Sequence, residues 1–393
     1  MLFQTLDDKK DCVGIYQNDL VFNGELSDDL THTWSYSGFL KGREVEYAKL
    51  YCGGATLDKA CPEALTERWE RSSNKLKAFI KSFGTACVPL DENCFFDLVP
   101  EKFLIEFCQI KNQICEHIFD NYEKPANYDY LVSLTEIIED MKYRKLNINP
   151  KNLSMFRADH RKFVQTLNNI QHSCKFNIYG TKTGRLTTEP KSFPILTLKK
   201  ELRCVIEPHN DYFVELDYNA AELRTLLSLQ GKTQPKGDLH EWNIQNVYRG
   251  LVTRDEAKKR IFAWLYNPES QDYLSSRAYD REGVVQKYFT EGQVTTFWDK
   301  VIPSEERTAL NYIIQSTCAE NVLRQMIKVS NYLKGAKSYV IFPIHDSIVL
   351  DLTKEEREKL PEIIDIFSNT ALGKFKVNVS VGTNFGNLER LKL

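Results

Sequence analysis

The stretch from residue 212 to residue 224, YFVELDYNAAELR, places a carboxylate at the end of what reads as a buried strand. The largely apolar run of residues 213–216 leads directly into Asp217, and helix-forming residues follow it. A carboxylate left alone in such a position costs several kcal/mol unless a positive group lies beside it. The strand prediction therefore requires another part of the chain to bring a positive partner to Asp217.

A second aspartate follows the same pattern nearer the C-terminus. Residues 338–352, SYVIFPIHDSIVLDL, predict two apolar strands that meet at a polar tip containing His345, Asp346 and Ser347. Two aspartates at strand ends can share divalent cations, because carboxylate oxygens are hard ligands of the kind that Mg²⁺ prefers. Asp is also favoured in turns and at the start of helices, so either aspartate alone could instead be a local cap.

A stripe of cations and aromatic rings is predicted in the segment TRDEAKKRIFAWLYNPES, residues 253–270. Arg254, Lys258, Phe262 and Tyr266 recur every four residues, which places them along one gently drifting side of a helix. The two cations suit a triphosphate, and the two rings suit a base stacked beside it. The alternative is an amphipathic helix with solvated cations and core-facing rings.

A long helix is predicted for residues 305–334, ended by Gly335. Arg307, Asn311 and Gln315 share one polar side of this helix. One Arg and two carboxamides suit the acceptors of a duplex minor groove, although a solvated helix face is an equally acceptable interpretation.

The composition limits the classes of protein that remain. The chain has 393 residues, of which 42% are hydrophobic and 27% charged, and its net charge of −2 means that any nucleic-acid surface must be local. No apolar run approaches membrane-spanning length, so no membrane partner is expected. Ten cysteines are scattered without a C-x-x-C pair, which indicates reduced thiols and a cytoplasmic location, the host cytoplasm if the source is viral.

These segments together resemble the family A DNA polymerases, the type of bacterial DNA polymerase I and of phages. The resemblance runs in family order from about residue 180 to the C-terminus, and residues 1–100 carry no part of it. The matching motifs are TGRL at 183–186, DYNAAELR at 217–224, the R-x₃-K-x₃-F-x₃-Y stripe, RTALNYIIQSTCAE at 307–320 and HDS at 345–347.

The resemblance implies an α+β fold, a polymerase right hand that is mainly helical and has an antiparallel palm sheet. Residues 71–175 would form the thumb and residues 231–300 the fingers. The palm would consist of two segments, residues 176–230 and 301–393. Residues 1–70 are an N-terminal region to which the resemblance assigns no role.

By the same resemblance, Asp217 and Asp346 would hold two Mg²⁺ ions, for which Mn²⁺ can substitute, with the Tyr218 carbonyl as a further ligand. Lys258 would act with them in catalysis, and Glu222 would fill the space that a ribose 2′-hydroxyl needs. The implied partners are primer–template DNA and deoxynucleoside triphosphates, with replication accessory proteins as further candidates.

The other residues carried over from the family are of two kinds. Those that would contact the incoming nucleotide are Arg254, Lys258, Phe262, Tyr266, Glu222 and His240. Those that would line the minor groove or the primer end are Arg185, Arg307, Asn311, Gln315 and His345.

The chain departs from the family pattern at several positions. Ser347 stands at the third position of the H-D-E motif, where the family has an acid of secondary importance, so its loss is compatible with activity. Ala220 replaces a polar residue, and Ala263 and Asn267 replace glycines of the fingers helix. KSFPIL stands in place of NLQNIP, which removes contacts to the template. The short interval between the two aspartates predicts reduced fingers.

Two alternatives remain open at this point. A single-subunit RNA polymerase relative is disfavoured by Glu222 and Phe262, because that enzyme must admit a 2′-hydroxyl. A catalytically degenerate primer–template binding protein is disfavoured by the intact aspartates. A proofreading exonuclease is not expected, because it needs an early strand with D-x-E, and the D-x-E of this chain, residues 280–282, falls in the fingers.

Overall fold

The structure is a computed structural model. It describes residues 2–5, 14–22, 26–90, 93–154 and 157–391. The chain divides into two compact units, Met1–Asp140 and Met141–Leu393. All of the predicted site residues belong to the second unit.

The first unit contains a mixed sheet and several helices. Its strands are β1 (Leu2–Thr5), β2 (Gly14–Tyr16), β3 (Asp19–Val21), β4 (His32–Thr33) and β5 (Glu46–Tyr47). Its helices are α1 (Ala48–Tyr51), α2 (Leu57–Ala60), α3 (Thr66–Thr85) and α4 (Glu101–Asn121), and α5 (Tyr128–Tyr143) crosses into the second unit. The strand order is β3-β2-β1-β4-β5, antiparallel from β1 to β3 and parallel from β1 to β5.

The predicted boundary after residue 70 does not coincide with the division of the structure. Ile15 of β2 packs with Phe103 and Cys108 of α4, and Phe79 of α3 packs against the same apolar cluster. This cluster joins α3 and α4 to the sheet, and residues 71–140 fall in the first compact unit. Helical periodicity shows which side of a helix is apolar, but it does not show which surface covers that side. The assignment of residues 71–175 to a thumb stays a prediction.

The second unit contains the remaining elements of the chain. Its helices are α6 (Ala158–Leu167), α7 (Ala221–Leu229), α8 (Leu239–Asn246), α9 (Arg254–Tyr266), α10 (Tyr273–Ala278), α11 (Arg281–Tyr288), α12 (Glu306–Tyr332) and α13 (Leu360–Ser368). Its strands are β6 (Asn147–Ile148), β7 (Phe176–Asn177), β8 (Thr187–Thr188), β9 (Ile206–Glu207), β10 (Tyr212–Tyr218), β11 (Phe289–Thr290), β12 (Gln293–Thr295), β13 (Val301–Pro303), β14 (Tyr339–Ile344), β15 (Ser347–Leu352), β16 (Asn369–Thr370), β17 (Gly373–Lys374), β18 (Val377–Gly382) and β19 (Glu389–Arg390).

A five-stranded antiparallel sheet, here called the main sheet, carries the candidate site. Its order is β14-β15-β10-β18-β19, so β10 is the central strand. β14 and β15 form a hairpin connected by His345 and Asp346, as the sequence predicts. Val214 and Leu216 of β10 are fully buried, and α12 and α13 pack on the sheet. The central strand is therefore rigidly supported up to the residue before Asp217.

The cysteines follow the prediction only in part. Eight of them are free thiols in the described part of the chain, whereas Cys94 is disulfide-bonded. The expectation of reduced thiols is wrong at Cys94, because the spacing of cysteines along a sequence does not show which of them meet in the fold. Across the ranges that the structure describes, no helix is both long and apolar enough to span a membrane.

Candidate active site

Asp217 and Asp346 are neighbours at one end of the main sheet. Asp217 is the penultimate residue of β10 and lies opposite Ser347 of β15, which directly follows Asp346. The backbone N–H of Tyr218 donates to the carbonyl oxygen of Asp346 at 3.3 Å. Both aspartates are partly exposed. The sheet therefore brings together the two carboxylates that the sequence predicts as partners, and it leaves them accessible.

Burial and neighbouring negative charges make both carboxyl groups difficult to ionise. The pKa of Asp217 is raised to about 7, first by burial and then by the negative charge of Asp346. Burial raises the pKa of Asp346 too, and the Glu222 carboxylate adds to this effect. The positive charge of Lys258 lowers the pKa of Asp217, but it is a smaller contribution. The positive partner that the strand requires is thus only partly supplied by the chain, and a bound cation would supply the rest.

The donor atoms around the two aspartates fit a hard divalent cation. The carboxylates of Asp217 and Asp346 and the carbonyl of Tyr218 are oxygen ligands. In the described ranges, no three His, Cys, Asp or Glu side chains converge closely enough to hold a metal ion by themselves. Mg²⁺ commonly binds through one or two carboxylates and completes its octahedral shell with water and substrate phosphates. The set of residues therefore fits Mg²⁺ better than a metal that needs a full protein cage.

A third carboxylate, which is not part of the family motifs, lies beside Asp217 and Asp346. Glu215 precedes Asp217 by two residues in β10, so both side chains project from the same face of the sheet. The hydroxyl of Ser347 lies 3.2 Å from Oε1 of Glu215, in hydrogen-bonding geometry, and burial raises the pKa of Glu215. The serine at the family's acidic position thus contacts an acid on the neighbouring strand. Side-chain alternation along β10 is the signal that reveals Glu215.

Asn378 of β18 orients Asp217 from the other side. Its Nδ2 donates to Oδ2 of Asp217 at 3.0 Å, and its Oδ1 accepts a hydrogen bond from Nη2 of Arg390 at 2.6 Å. Arg390 therefore determines which end of the amide faces the aspartate. No sequence signal predicts this contact, because 161 residues separate Asn378 from Asp217.

The stripe of cations and aromatic rings lies on α9, as predicted. The helix begins at Arg254 and ends at Tyr266, and Thr253 and Glu256 close its N-terminus with a reciprocal capping box. The rings of Phe262 and Tyr266 stack with their centroids 6.2 Å apart and their planes inclined at 23°. Another side of the helix is buried in the apolar core of the second unit. The core therefore fixes the direction in which the stripe faces.

Three potential ligands of a triphosphate lie on α8 and α9. The imidazole of His240 is buried and its Nδ1 has no hydrogen-bond partner in the described structure. Burial lowers the pKa of His240, and the nearby charges of Arg254 and Lys258 lower it further. Lys258 is exposed and acts electrostatically on both His240 and Asp217. Arg254 and Lys258 therefore supply positive charge on this side of the site, and Lys258 acts on Asp217.

Glu222, in the first turn of α7, is held by an ion pair. Nη2 of Arg185 donates to Oε1 of Glu222 at 2.7 Å. The Tyr266 hydroxyl is buried, and its pKa is raised by burial and by the Glu222 carboxylate beside it. The structure brings Tyr266 and Glu222 together, and no sequence pattern predicts the ion pair with Arg185.

The polar row predicted for the long helix lies on α12. Arg307 is exposed and pairs with Glu305 at 3.3 Å, and Asn311 and Gln315 are half-buried. Oδ1 of Asn311 is buried and has no hydrogen-bond partner in the described structure. His345 is exposed in the hairpin connection, with a φ of +51°. The role of these residues as DNA contacts stays a prediction.

The fold is that of a polymerase domain. The structure is similar to the POL domain of Pol1 from M. smegmatis, which was solved in complex with DNA primer-template and dNTP. The TM-score is 0.61 at 14% identity, and the likeness covers 88% of this chain and 82% of that chain. It confirms the predicted α+β polymerase fold.

The sequence is similar to that of DNA polymerases from bacteria and phages, and residues 291–388 match the profile of DNA polymerase family A. DNA polymerase I of Borreliella burgdorferi is 21% identical over an alignment of 351 residues, which covers 74% of this chain and 36% of that protein. The DNA polymerases of Mycobacterium phage L5 and Bacillus phage SP01 are 25% and 26% identical, over 57% and 48% of this chain and 42% and 27% of their own lengths. The chain thus spans less than half of these relatives. The predicted resemblance to the family A DNA polymerases is confirmed.

Proposed function

We propose that this chain is a DNA-directed DNA polymerase that adds deoxynucleotides to a primer 3′ end by two-metal-ion nucleotidyl transfer. The observation that carries the proposal is the adjacency of Asp217 and Asp346 on the main sheet, within electrostatic reach of Lys258 of α9. The similarity to two phage polymerases supports a role in the DNA replication of a phage.

In this proposal Asp217, Asp346 and the Tyr218 carbonyl hold two Mg²⁺ ions, and Mn²⁺ can replace them. When bound, the ions would activate the primer 3′-hydroxyl and neutralise charge on the pyrophosphate that leaves. Asn378 keeps one oxygen of Asp217 in a hydrogen bond, so that the carboxylate has a defined orientation when the metal binds.

The nucleotide would bind between the aspartates and α9. Arg254 and Lys258 would supply donors and positive charge for the triphosphate, and the imidazole of His240 would supply a further hydrogen bond. The contact of Lys258 would strengthen most as charge develops on the transferred phosphoryl group. The stacked rings of Phe262 and Tyr266 offer an apolar surface for the nascent base pair. The side chain of Glu222 would occupy the space that a ribose 2′-hydroxyl needs.

The primer–template would lie along the remaining polar groups of the site. Arginine, histidine and carboxamide side chains are suited to the degenerate acceptors of the minor groove and to the primer end. The residues with these proposed contacts are Arg185, Arg307, Asn311, Gln315 and His345.

A primer-extension assay tests the proposal. Purified protein is incubated with primer–template DNA and Mg²⁺, and either the four deoxynucleotides or the four ribonucleotides are added. Template-dependent extension with deoxynucleotides alone is the expected result. Extension with ribonucleotides would favour an RNA polymerase relative, and tight DNA binding without extension would favour a degenerate binding protein.

A further inference from the structure

The carboxylate of Asp238 holds the first residue of α9. Asp238 is the N-cap of α8, and its Oδ2 accepts a hydrogen bond of 3.1 Å from Nη2 of Arg254. We propose that Asp238 is a positioning residue for the incoming nucleotide, which acts by directing the Arg254 guanidinium toward the triphosphate. The inference rests on the proposed polymerase function and adds to it a residue that contacts neither nucleotide nor metal.

Asp238 is rigid because both of its carboxylate oxygens are bound. Oδ1 accepts hydrogen bonds from the backbone N–H groups of His240 and Glu241, at 2.9 and 3.2 Å. Oδ2 accepts a further bond from Nδ2 of Asn219 at 2.9 Å. Burial opposes ionisation, but the bonds from Arg254 and from the backbone N–H groups of Glu241 and His240 lower the pKa of Asp238 to about 2. The carboxylate is therefore charged and immobile throughout the working range of pH.

Asp238 leaves one side of the Arg254 guanidinium available. Nε of Arg254 lies 3.7 Å from Glu241, which is too long for a hydrogen bond, and no described residue accepts from Nη1. The Arg254 side chain is 44% exposed. A planar guanidinium that is held along one edge can bind a phosphate along another. Fixing it before the nucleotide arrives reduces the rotamer entropy that binding would otherwise remove.

The same network reaches back to the strand that carries the aspartate pair. Asn219 directly follows β10, and its Oδ1 accepts from the backbone N–H of Leu239 at 2.8 Å and from Nη2 of Arg224 at 3.2 Å. The buried Arg224 donates in turn to the carbonyls of Pro235 and Gly237, ahead of α8, at 2.9 and 2.8 Å. The start of α8 is thereby fixed relative to the end of β10. Arg254, which is held by Asp238 at the start of α8, consequently keeps a defined position relative to Asp217.

Asp272 provides a matched control on another side of the same helix. It is the N-cap of α10 and accepts from the backbone N–H groups of Leu274 and Ser275 at 3.1 and 3.2 Å. It also pairs with Arg260 of α9, with Nη2 and Oδ1 3.0 Å apart. That guanidinium lies 4.8 Å from the ring centroid of Tyr248. Asp272 therefore has the same structural role as Asp238, without a cation directed at the proposed triphosphate site.

The test compares Asp238→Asn and Asp238→Ser with Asp272→Asn. Asn and Ser both keep an N-cap acceptor, and they remove the charge and the second carboxylate oxygen, which binds Arg254. The protein is bound to a primer–template with a dideoxy-terminated primer, so that no incorporation occurs, and the Kd for a Mg²⁺–deoxynucleoside triphosphate is measured by fluorescence titration. With an extendable primer, KM and kcat are measured in parallel.

Both Asp238 variants should raise the nucleotide Kd and KM roughly tenfold, with smaller changes in kcat and in the Kd for primer–template. Asp272→Asn should leave these values unchanged. In an Arg254→Lys background, Asp238→Asn should have an effect of less than about twofold, because no guanidinium remains to be positioned.

Unchanged or tighter nucleotide binding by Asp238→Asn would overturn the proposal. Equal weakening by Asp238→Asn and Asp272→Asn would also overturn it, since it would point to general loosening of α9. Failure of the proposed function would be seen separately, as wild-type protein that binds nucleotide on primer–template but extends no primer.

Discussion

Nη2 of Arg185 donates a hydrogen bond of 2.7 Å to Oε1 of Glu222, beside the buried hydroxyl of Tyr266. The Glu222 side chain is 19% exposed, so its carboxylate is held by the protein rather than by water. A carboxylate fixed in this way occupies its position whether or not a nucleotide is bound. A ribonucleotide could bind only by displacing a paired and largely buried charge, which is the physical basis of sugar selection in our account.

The first prediction is that Glu222→Ala raises the use of ribonucleotides relative to deoxynucleotides by roughly 10³-fold, because the substitution removes both the clash and the charge that must be displaced. Incorporation of deoxynucleotides should fall much less. The measurement is kcat/KM for single-nucleotide extension with each sugar.

Glu282→Ala is the matched control for this experiment. Glu282 is a first-turn acid of α11, as Glu222 is of α7, so both substitutions remove a similar interaction with a helix dipole. The control should leave sugar preference unchanged. Equal ribonucleotide use by wild type and Glu222→Ala would contradict the assignment and would favour the RNA polymerase alternative.

The second prediction concerns the cation of α9 that acts on Asp217. Lys258→Ala should weaken nucleotide binding and slow the chemical step, lowering kcat/KM by roughly 10²-fold, because the lost contact strengthens as charge moves on the phosphate. Single-turnover extension over a range of nucleotide concentrations separates the two effects. The neighbouring, exposed Lys259 supplies the control Lys259→Ala, which should have little effect. Weaker DNA binding with an unchanged nucleotide KM would indicate instead that Lys258 contacts DNA.

The third prediction is that Asp217→Asn stabilises the metal-free protein at high pH. The pKa of Asp217 in the fold is about 7, above its ordinary value of 3.8. The unfolded chain therefore ionises first as pH rises, and the cost to the fold grows from about pH 4 until it is complete above about pH 7. The increase in the free energy of unfolding for Asp217→Asn should be on the order of 1 kcal/mol at pH 8 and smaller at pH 5. Urea denaturation in the presence of a chelator measures it.

Asp211→Asn should change the free energy of unfolding in the opposite direction in the same experiment. The backbone N–H of Lys354 donates to Asp211 and lowers the pKa of its carboxyl group, so the ionised form stabilises the fold and Asp211→Asn should destabilise it. Adding Mg²⁺ should stabilise the wild type and not Asp217→Asn. Destabilisation by Asp217→Asn at pH 8 would contradict the electrostatic account of the aspartate pair.

The parts of the site that depend on local periodicity could be predicted from the sequence. Residues spaced four apart lie on one side of any helix, so the stripe on α9 follows from the helix alone. The capping box of Thr253 and Glu256 begins that helix where expected. The hairpin that presents Asp346 likewise follows from two adjacent apolar runs around a polar tip. In both cases the information lies within about 20 residues.

Contacts that depend on register between distant segments could not be predicted. Asn378 meets Asp217 because β18 pairs with β10 in one particular register, and a shift of one residue would turn it to the other face. The ion pair of Arg185 with Glu222 depends on the path of a loop and on two rotamers. The packing of α3 and α4 on the N-terminal sheet has the same origin, since an apolar helix face does not identify its partner.

The most direct test of the central claim is single-turnover primer extension by Asp217→Asn and Asp346→Asn. Asp211→Asn, at the residue just before β10, serves as the control, and the Kd for primer–template is measured alongside. Each of the first two variants removes a full charge from the site that would hold the metals, which is commonly worth on the order of 10²-fold or more in rate. We predict that both lose incorporation by at least that factor, while the control and the affinity of all three for primer–template remain close to wild type. Extension at a near wild-type rate by either Asp217→Asn or Asp346→Asn would contradict the account.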